Sequence, residues 1–339
     1  LIGERCLSAL GQELVLEMSF ITDYDVIEEL QAQTDEFMRI LREEDEFPAN
    51  NFYDVRYSLK RIRPEGTFLD EKELWDLKRS LQTIYEIVKF FGTDEEDQEY
   101  PHLKQMAGET VVFPQLIAHI DSILDKFGRV KDSASPALST IRREMTITMN
   151  SISKNLQNIL RSAQAEGVVD KDVNPTMRDG RLVIPIAPAY KRKIKGIVHD
   201  ESASGKTVFI EPAEVVEANN RIRELENEER REIVRILTDF TDKVRPLVPE
   251  ILDSYLFLAR IDFIRAKALF AIAIKAIKPV LENKQQIDWE RAVHPLLYLS
   301  LQKQHKEVIP LDIRLTEKDR LLIISGPNAG GKSVCLKTV

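Results

Sequence analysis

Four residues near the end of the chain, Gly326, Gly331, Lys332 and Ser333, complete the pattern G-x-x-x-x-G-K-[ST] within "GPNAGGKS". In such a loop, backbone N–H groups of a glycine-rich turn converge on phosphate oxygens. The lysine reaches the β- and γ-phosphates, and the hydroxyl ligates Mg²⁺. The expected nucleotide contacts are Gly326, Pro327, Asn328, Ala329, Gly330, Gly331, Lys332, Ser333 and Val334, with Ser333 as the expected Mg²⁺ ligand. The expected cofactors are ATP and Mg²⁺. The apolar run Leu321–Ile324 reads as a strand in front of the loop, and Val334–Val339 as the start of a helix behind it. A second G-K-T, Gly205-Lys206-Thr207, fails the pattern because Asp200 stands where its first glycine belongs, so 202–206 reads as a loop joining strands.

A second cluster offers a different chemistry. Arg178, Arg181, Lys191, Arg192, Lys193 and Lys195 fall within twenty residues that hold one acid, Asp179, in a chain whose formal net charge is −8. Tyr190 stands beside them. Such a patch neutralises phosphates without reading bases. A solvated hairpin loop has the same composition; what favours a partner is the position of the cluster between two long helical segments. His199, His294 and His305 are scattered, with no Glu or Cys at ligand spacing, and no nucleophile–base pair is evident.

The elements that must position these residues are mainly helical. Asp70-x-x-Glu73 is a capping-box start, followed by Leu74, Leu77, Leu81, Ile84, Val88 and Phe91 at spacings of three and four, with Gly92 as the stop. Thr22–Leu41 carries a similar stripe. Ser135 reads as an N-cap and Pro136 as the first helical residue of a run to Glu166, before Gly167. Its stripe is Leu138, Ile141, Met145, Met149, Ile152, Leu156 and Ile159. After Pro212 a matching run, Val215 to Phe240, reaches Arg245 with its stripe interrupted at Glu229. Two helices of this length, about 46 to 50 Å each, suggest an antiparallel pair carrying a small module at the tip. In that module Asp179-Gly180 signals a hairpin beside Leu182–Ile186, "IKGIVHD" and "TVFIEP" read as short strands, and Pro185 and Pro188 imply edges or bulges. A helix runs from Pro249 to Ile277, and "VIPLDIRL" and "RLLIIS" read as strands leading to the glycine loop.

The expected fold is therefore mainly α: a helical core, two long antiparallel lever helices, a small β-containing clamp at their tip, and the start of an α/β P-loop domain. The expected divisions are a core at 1–133, an outgoing lever at 134–167, a clamp at 168–212, a returning lever at 213–247, a core return at 248–278 and the first part of an ATPase domain at 279–339. Two unclustered cysteines, Cys6 and Cys335, argue for a reducing compartment, read as the cytoplasm. No apolar stretch is long enough to span a bilayer as a helix, so no membrane partner is expected. With no initiator Met and little sequence after the glycine loop, the chain is expected to be a fragment. An acidic Mg²⁺ partner and a water-positioning residue are expected after the P-loop, so the fragment alone is expected to be inactive.

These residues resemble the MutS family of ATPases. "SGPNAGGKS" looks like that family's P-loop, "AVHPLL" (292–297) and "VIPLDIRL" (308–315) fall where the family begins its ATPase domain, and the order of core, lever, clamp, returning lever and ATPase is the same. "GIVHDESASGKTVFIEP" (196–212) is similar to the clamp of one bacterial branch, the second paralogue, which carries a C-terminal Smr nuclease domain. The resemblance implies a homodimer with composite ATPase sites and clamps that embrace duplex or branched DNA. For this branch it implies restraint of recombination, or action on ribosomal RNA at stalled ribosomes, rather than mismatch reading. The 134 residues before the first lever are too few for a mismatch-reading domain, a connector and the core. The only F-x-E match, Phe209-Ile210-Glu211, lies in the clamp and reads as chance. Two rival readings are a coiled-coil chromosome-organising ATPase, disfavoured because its P-loop precedes its arm, and a non-catalytic dimerisation scaffold.

Overall fold

Local signals decide where the helices begin. The side chain of Ser135 accepts the Leu138 N–H at 3.0 Å and Pro136 opens the helix that follows, which runs to Ala165. At Asp70 the capping box closes both ways: Glu73 N–H donates to the Asp70 carboxylate at 2.8 Å and Asp70 N–H to Glu73 at 3.0 Å. The computed structural model describes residues 1–43, 47–92, 99–319, 321–327 and 331–339. The first helices are α1 (Ala9–Leu16), α2 (Tyr24–Glu43), α3 (Arg56–Arg61), α4 (Glu71–Phe91), α5 (Pro101–Gly108), α6 (Pro114–Ile123) and α7 (Pro136–Ala165). Strands β1 (Thr176–Arg178), β2 (Arg181–Ile186), β3 (Gly196–Glu201) and β4 (Val208–Pro212) follow. Helices α8 (Ala213–Val244) and α9 (Val248–Ala273) come next, joined by the 3-10 turn Arg245–Leu247. The chain ends with β5 (Ile287–Ala292), α10 (Pro295–Gln302), β6 (Leu311–Leu315) and α11 (Lys332–Thr338). The fold is mainly α with small antiparallel sheets, as expected.

The chain divides into two compact units, one of residues 1–54, 79–113 and 250–339, the other of 55–78 and 114–249. In the first unit, α9 buries Ile251, Tyr255, Leu258, Ile261, Ile264 and Ala268 at helical spacing. Its Asp262, fully buried, accepts the Leu7 and Ser8 N–H groups at 2.8 and 2.9 Å and the Ser8 hydroxyl at 2.7 Å, which fixes the start of α1. α9 stops at Ala273, short of the expected Ile277, because Lys275 takes a left-handed φ of 56°.

The second unit holds the long helices. Pairings across α7 and α8 run in opposite senses: Ser135 meets Glu232 at 2.6 Å, Arg142 meets Glu229 at 2.7 Å and Arg221 meets Glu144 at 2.9 Å. Numbers rise on one helix as they fall on the other, so the pair is antiparallel. Between the helices lie Ile152, Leu156, Leu160, Val215 and Ile222, with Met145 and Met149 packed against them. Glu229, the break in the apolar stripe, is the carboxylate that pairs with Arg142.

The same core continues under a four-stranded antiparallel sheet of order β1-β2-β4-β3. Its first turn, Asp179 at φ 47° and Gly180 at φ 73°, is of the primed hairpin kind, whose twist suits flanking strands. Pro185 corrects one expectation. It lies in β2, an inner strand, but β1 pairs only with 181–183, so at Pro185 only the β4 side carries a partner. A second correction concerns Leu321–Ile324. No strand forms there, and Leu321 and Ile323 are each 91% exposed. A strand needs a neighbour to satisfy its N–H and C=O groups. Among the described residues the nearby sheet is β5 with β6 alone, and neither pairs with this run.

Candidate nucleotide loop and nucleic-acid interface

The glycine pattern closes on itself. Gly326 at φ 152° and Gly331 at φ 83° take conformations that L side chains rarely adopt, and Gly331 is the N-cap of α11. The Lys332 ammonium donates to the Gly326 carbonyl, so the two ends of the eight-residue pattern meet. Val334 and Cys335 N–H groups bond to the Gly331 carbonyl at 3.0 and 2.9 Å. The N–H groups of Lys332 and Ser333, at the helix start, have no intrahelical acceptor. An ammonium, the Ser333 hydroxyl and N–H groups at one helix start form a donor set that fits a Mg²⁺-bound polyphosphate. Pro327 precedes the turn, and Asn328, Ala329 and Gly330 lie outside the described residues.

The basic cluster separates into two kinds of cation. Tight turns carry the first kind: Tyr190 N–H bonds to Ala187 O at 3.0 Å and Lys193 N–H to Tyr190 O at 2.8 Å. These turns expose Lys191, Arg192 and Lys193 in succession, while the next residue, Ile194, is buried in the core beneath. Lys195 is exposed as well. Among the described residues, none of these four has a carboxylate within ion-pair distance. Arg178 is also exposed, its guanidinium 4.2 Å from the centre of the Phe209 ring. Such stacking holds the guanidinium plane and leaves its edge to donate.

Arg181 is of the second kind. Its Nη1 donates to both Glu211 oxygens at 2.7 and 2.8 Å and its Nη2 to Asn220 at 2.6 Å. Glu211 is fully buried, and it also accepts from Asn219 at 2.7 Å and bonds the His199 ring. Burial alone would raise this carboxyl. The hydrogen bonds from Asn219, His199 and Arg181, with the Arg181 charge, outweigh it and hold the group below the usual range. One carboxylate on β4 thus ties β2, β3 and α8 together. Gly196 fits beside it because a Cβ there would lie 2.1 Å from the Glu211 carbonyl oxygen.

Sequence reasoning places Arg178, Lys191, Arg192, Lys193 and Lys195 on one small module but gives no role to Glu211. The signal was present: an acid inside the apolar run Val208–Pro212, all five residues of which are buried. The Gly205-Lys206-Thr207 stretch forms the β3–β4 turn, with Gly205 N–H on Ser202 O at 2.7 Å and Ser202 N–H on Thr207 O at 2.8 Å.

No family model matches the chain. Curated proteins named "Endonuclease MutS2" match it along its length. One from Geobacillus sp. (strain WCH70) is 37% identical over 337 residues, 99% of this chain and 42% of that protein. One from Halalkalibacterium halodurans is 35% identical over 338 residues, again 99% and 42%. One from Listeria monocytogenes serotype 4a is 36% identical over 339 residues, 100% and 42%. The chain spans about two-fifths of the length of the curated relatives it matches. With paired long helices, a small sheet at 176–212 and a GPNAGGKS loop, this chain is similar along its whole length to curated proteins named Endonuclease MutS2.

Proposed function

We propose that this chain is the lever and clamp part, with the opening of the ATPase domain, of a dimeric nucleic-acid-binding ATPase. In this reading 134–167 and 213–247 are the levers, 168–212 the clamp, 1–133 and 248–278 the core, and 279–339 the first part of the nucleotide domain. The clamp takes duplex or branched DNA by its phosphates, in restraint of recombination. Lys191, Arg192, Lys193, Lys195 and Arg178 meet those phosphates, and Arg181 holds the clamp's shape. Gly326 to Val334 hold the phosphates of ATP, Lys332 meets the terminal ones, and Ser333 supplies its hydroxyl to Mg²⁺. Bound Mg²⁺ would neutralise charge on the phosphates. Hydrolysis, and the nuclease activity in the relatives' name, are proposed for the longer protein, in the cytoplasm. No helix among the described residues is long and apolar enough to cross a membrane.

The observation that carries this reading is the row of four exposed cations, none with a carboxylate partner among the described residues, anchored by Ile194 in a chain of net charge −8. Solvated loops need no such anchor, and a fixed row of cations suits a row of phosphates. The test is competition among a duplex, a branched DNA and a structured ribosomal RNA fragment at one stated salt concentration. Preference for branched or duplex DNA is expected. Preference for the RNA overturns the DNA reading and favours a ribosomal one.

A further inference from the structure

Among the described residues, strand β3 ends its sheet with one side open, since the order is β1-β2-β4-β3. The other edge, β1, is three residues long, but β3 has six. On the covered side of β3, Lys195 O accepts the Ala213 N–H at 2.9 Å. Backbone groups alternate along a strand, so those of Gly196 and Val198 face the open side. The two residues at the centre are apolar and exposed, Ile197 at 49% and Val198 at 44%. Charge is divided about them. Lys193 and Lys195 precede, and Asp200 and Glu201 follow, all exposed. Reversed against itself, this strand is its own complement.

From this we infer that β3 pairs antiparallel with β3 of a second copy, about a two-fold axis at Val198. The pairing exchanges the Val198 N–H and C=O groups across the axis and covers Ile197 and Val198. It sets the basic start of each strand beside the acidic end of the other. Two-fold pairing consumes both open edges, and the bulge between Val198 and Asp200 limits its length, so the assembly closes at two copies. It shares Lys195 with the nucleic-acid reading but does not rest on it. A clamp that binds phosphates need not pair, and the pairing is tested with no nucleic acid present.

The probe is the chain carrying Cys6→Ser, Cys335→Ser and Val198→Cys, exposed to oxidised glutathione. The expected result is a disulfide-linked dimer, with Ser204→Cys in place of Val198→Cys giving little. Adding Lys195→Glu or Glu201→Lys alone puts like charges together and lowers the dimer yield on the order of tenfold. Combining Lys195→Glu with Glu201→Lys restores it. These positions are exposed, and circular dichroism checks that each variant keeps its helices. No dimer from the Val198→Cys chain, equal yield from the Ser204→Cys chain, or single charge swaps without effect each overturns the inference, as does failure of the double swap to rescue.

Discussion

The sheet at 176–212 and the segment from 287 to 339 both contain short apolar runs, but the second buries only Ile313 of its own among the described residues. In the first, Val183, Ile184, Ile186, Val208 and Ile210 are at most 3% exposed. In the second, Ile309, Leu321 and Ile323 are each above 90% exposed. The difference lies in what covers them. β2 and β4 sit over Ile152, Leu156, Leu160 and Val215 from the paired helices. Among the described residues β5 and β6 pair only with each other. Two strands alone seldom stabilise a sheet in water. The first region is a finished core with its charge bound at Glu211. The second leaves Ile309, Leu321 and Ile323 in solvent.

Removing Glu211 breaks the comparison most severely. Glu211→Ala leaves Arg181, His199 and Asn219 without their shared acceptor, and a charge so stranded costs about 3–5 kcal/mol. Urea unfolding measures it. The carboxyl titrates below its ordinary value in the fold. Its contribution is therefore full above the unfolded value, about 4.3, and is lost as pH falls through the lower folded value. Wild type should lose stability in that acid window more steeply than Glu211→Gln. Parallel profiles would remove Glu211 from the account.

Ile152→Ala comes next. Ile152 is fully buried between the long helices, and loss of its side chain should cost about 2–5 kcal/mol. Ser135→Ala follows at about 1 kcal/mol, from the N-cap bond to Leu138. The smallest effect belongs to the second region. Leu321→Ala and Ile323→Ala should each stay within about 0.5 kcal/mol, as at other exposed sites. A destabilisation near that of Ile152→Ala would show that the segment is covered after all.

The same contrast explains what was legible in the sequence. Helix starts and stops are local: Ser135, Pro136, Asp70 and Glu73 act on their own turns, and the structure places α7 within a residue of the expected bounds. The pairing of α7 with α8 was legible because matched stripes of equal length have one economical arrangement. The strand at Leu321–Ile324 was not, because alternation shows what a segment offers and not which neighbour takes it. Arg181 looked like its basic neighbours because charge is visible in a sequence and burial is not. Glu211, thirty positions away, decides its fate.

The reading of the exposed cations as phosphate ligands is tested most directly by salt dependence. The chain with Lys191, Arg192 and Lys193 all changed to Ala is compared with wild type for binding to a fixed-length duplex and a branched DNA across a salt series. On duplex DNA, each phosphate no longer neutralised lowers the log–log slope by about 0.9. The account predicts a slope shallower by roughly 2–3, a similar weakening on different base sequences, and unchanged unfolding. A variant that keeps the wild-type slope on both substrates would contradict it, and would leave these three residues as solvated surface.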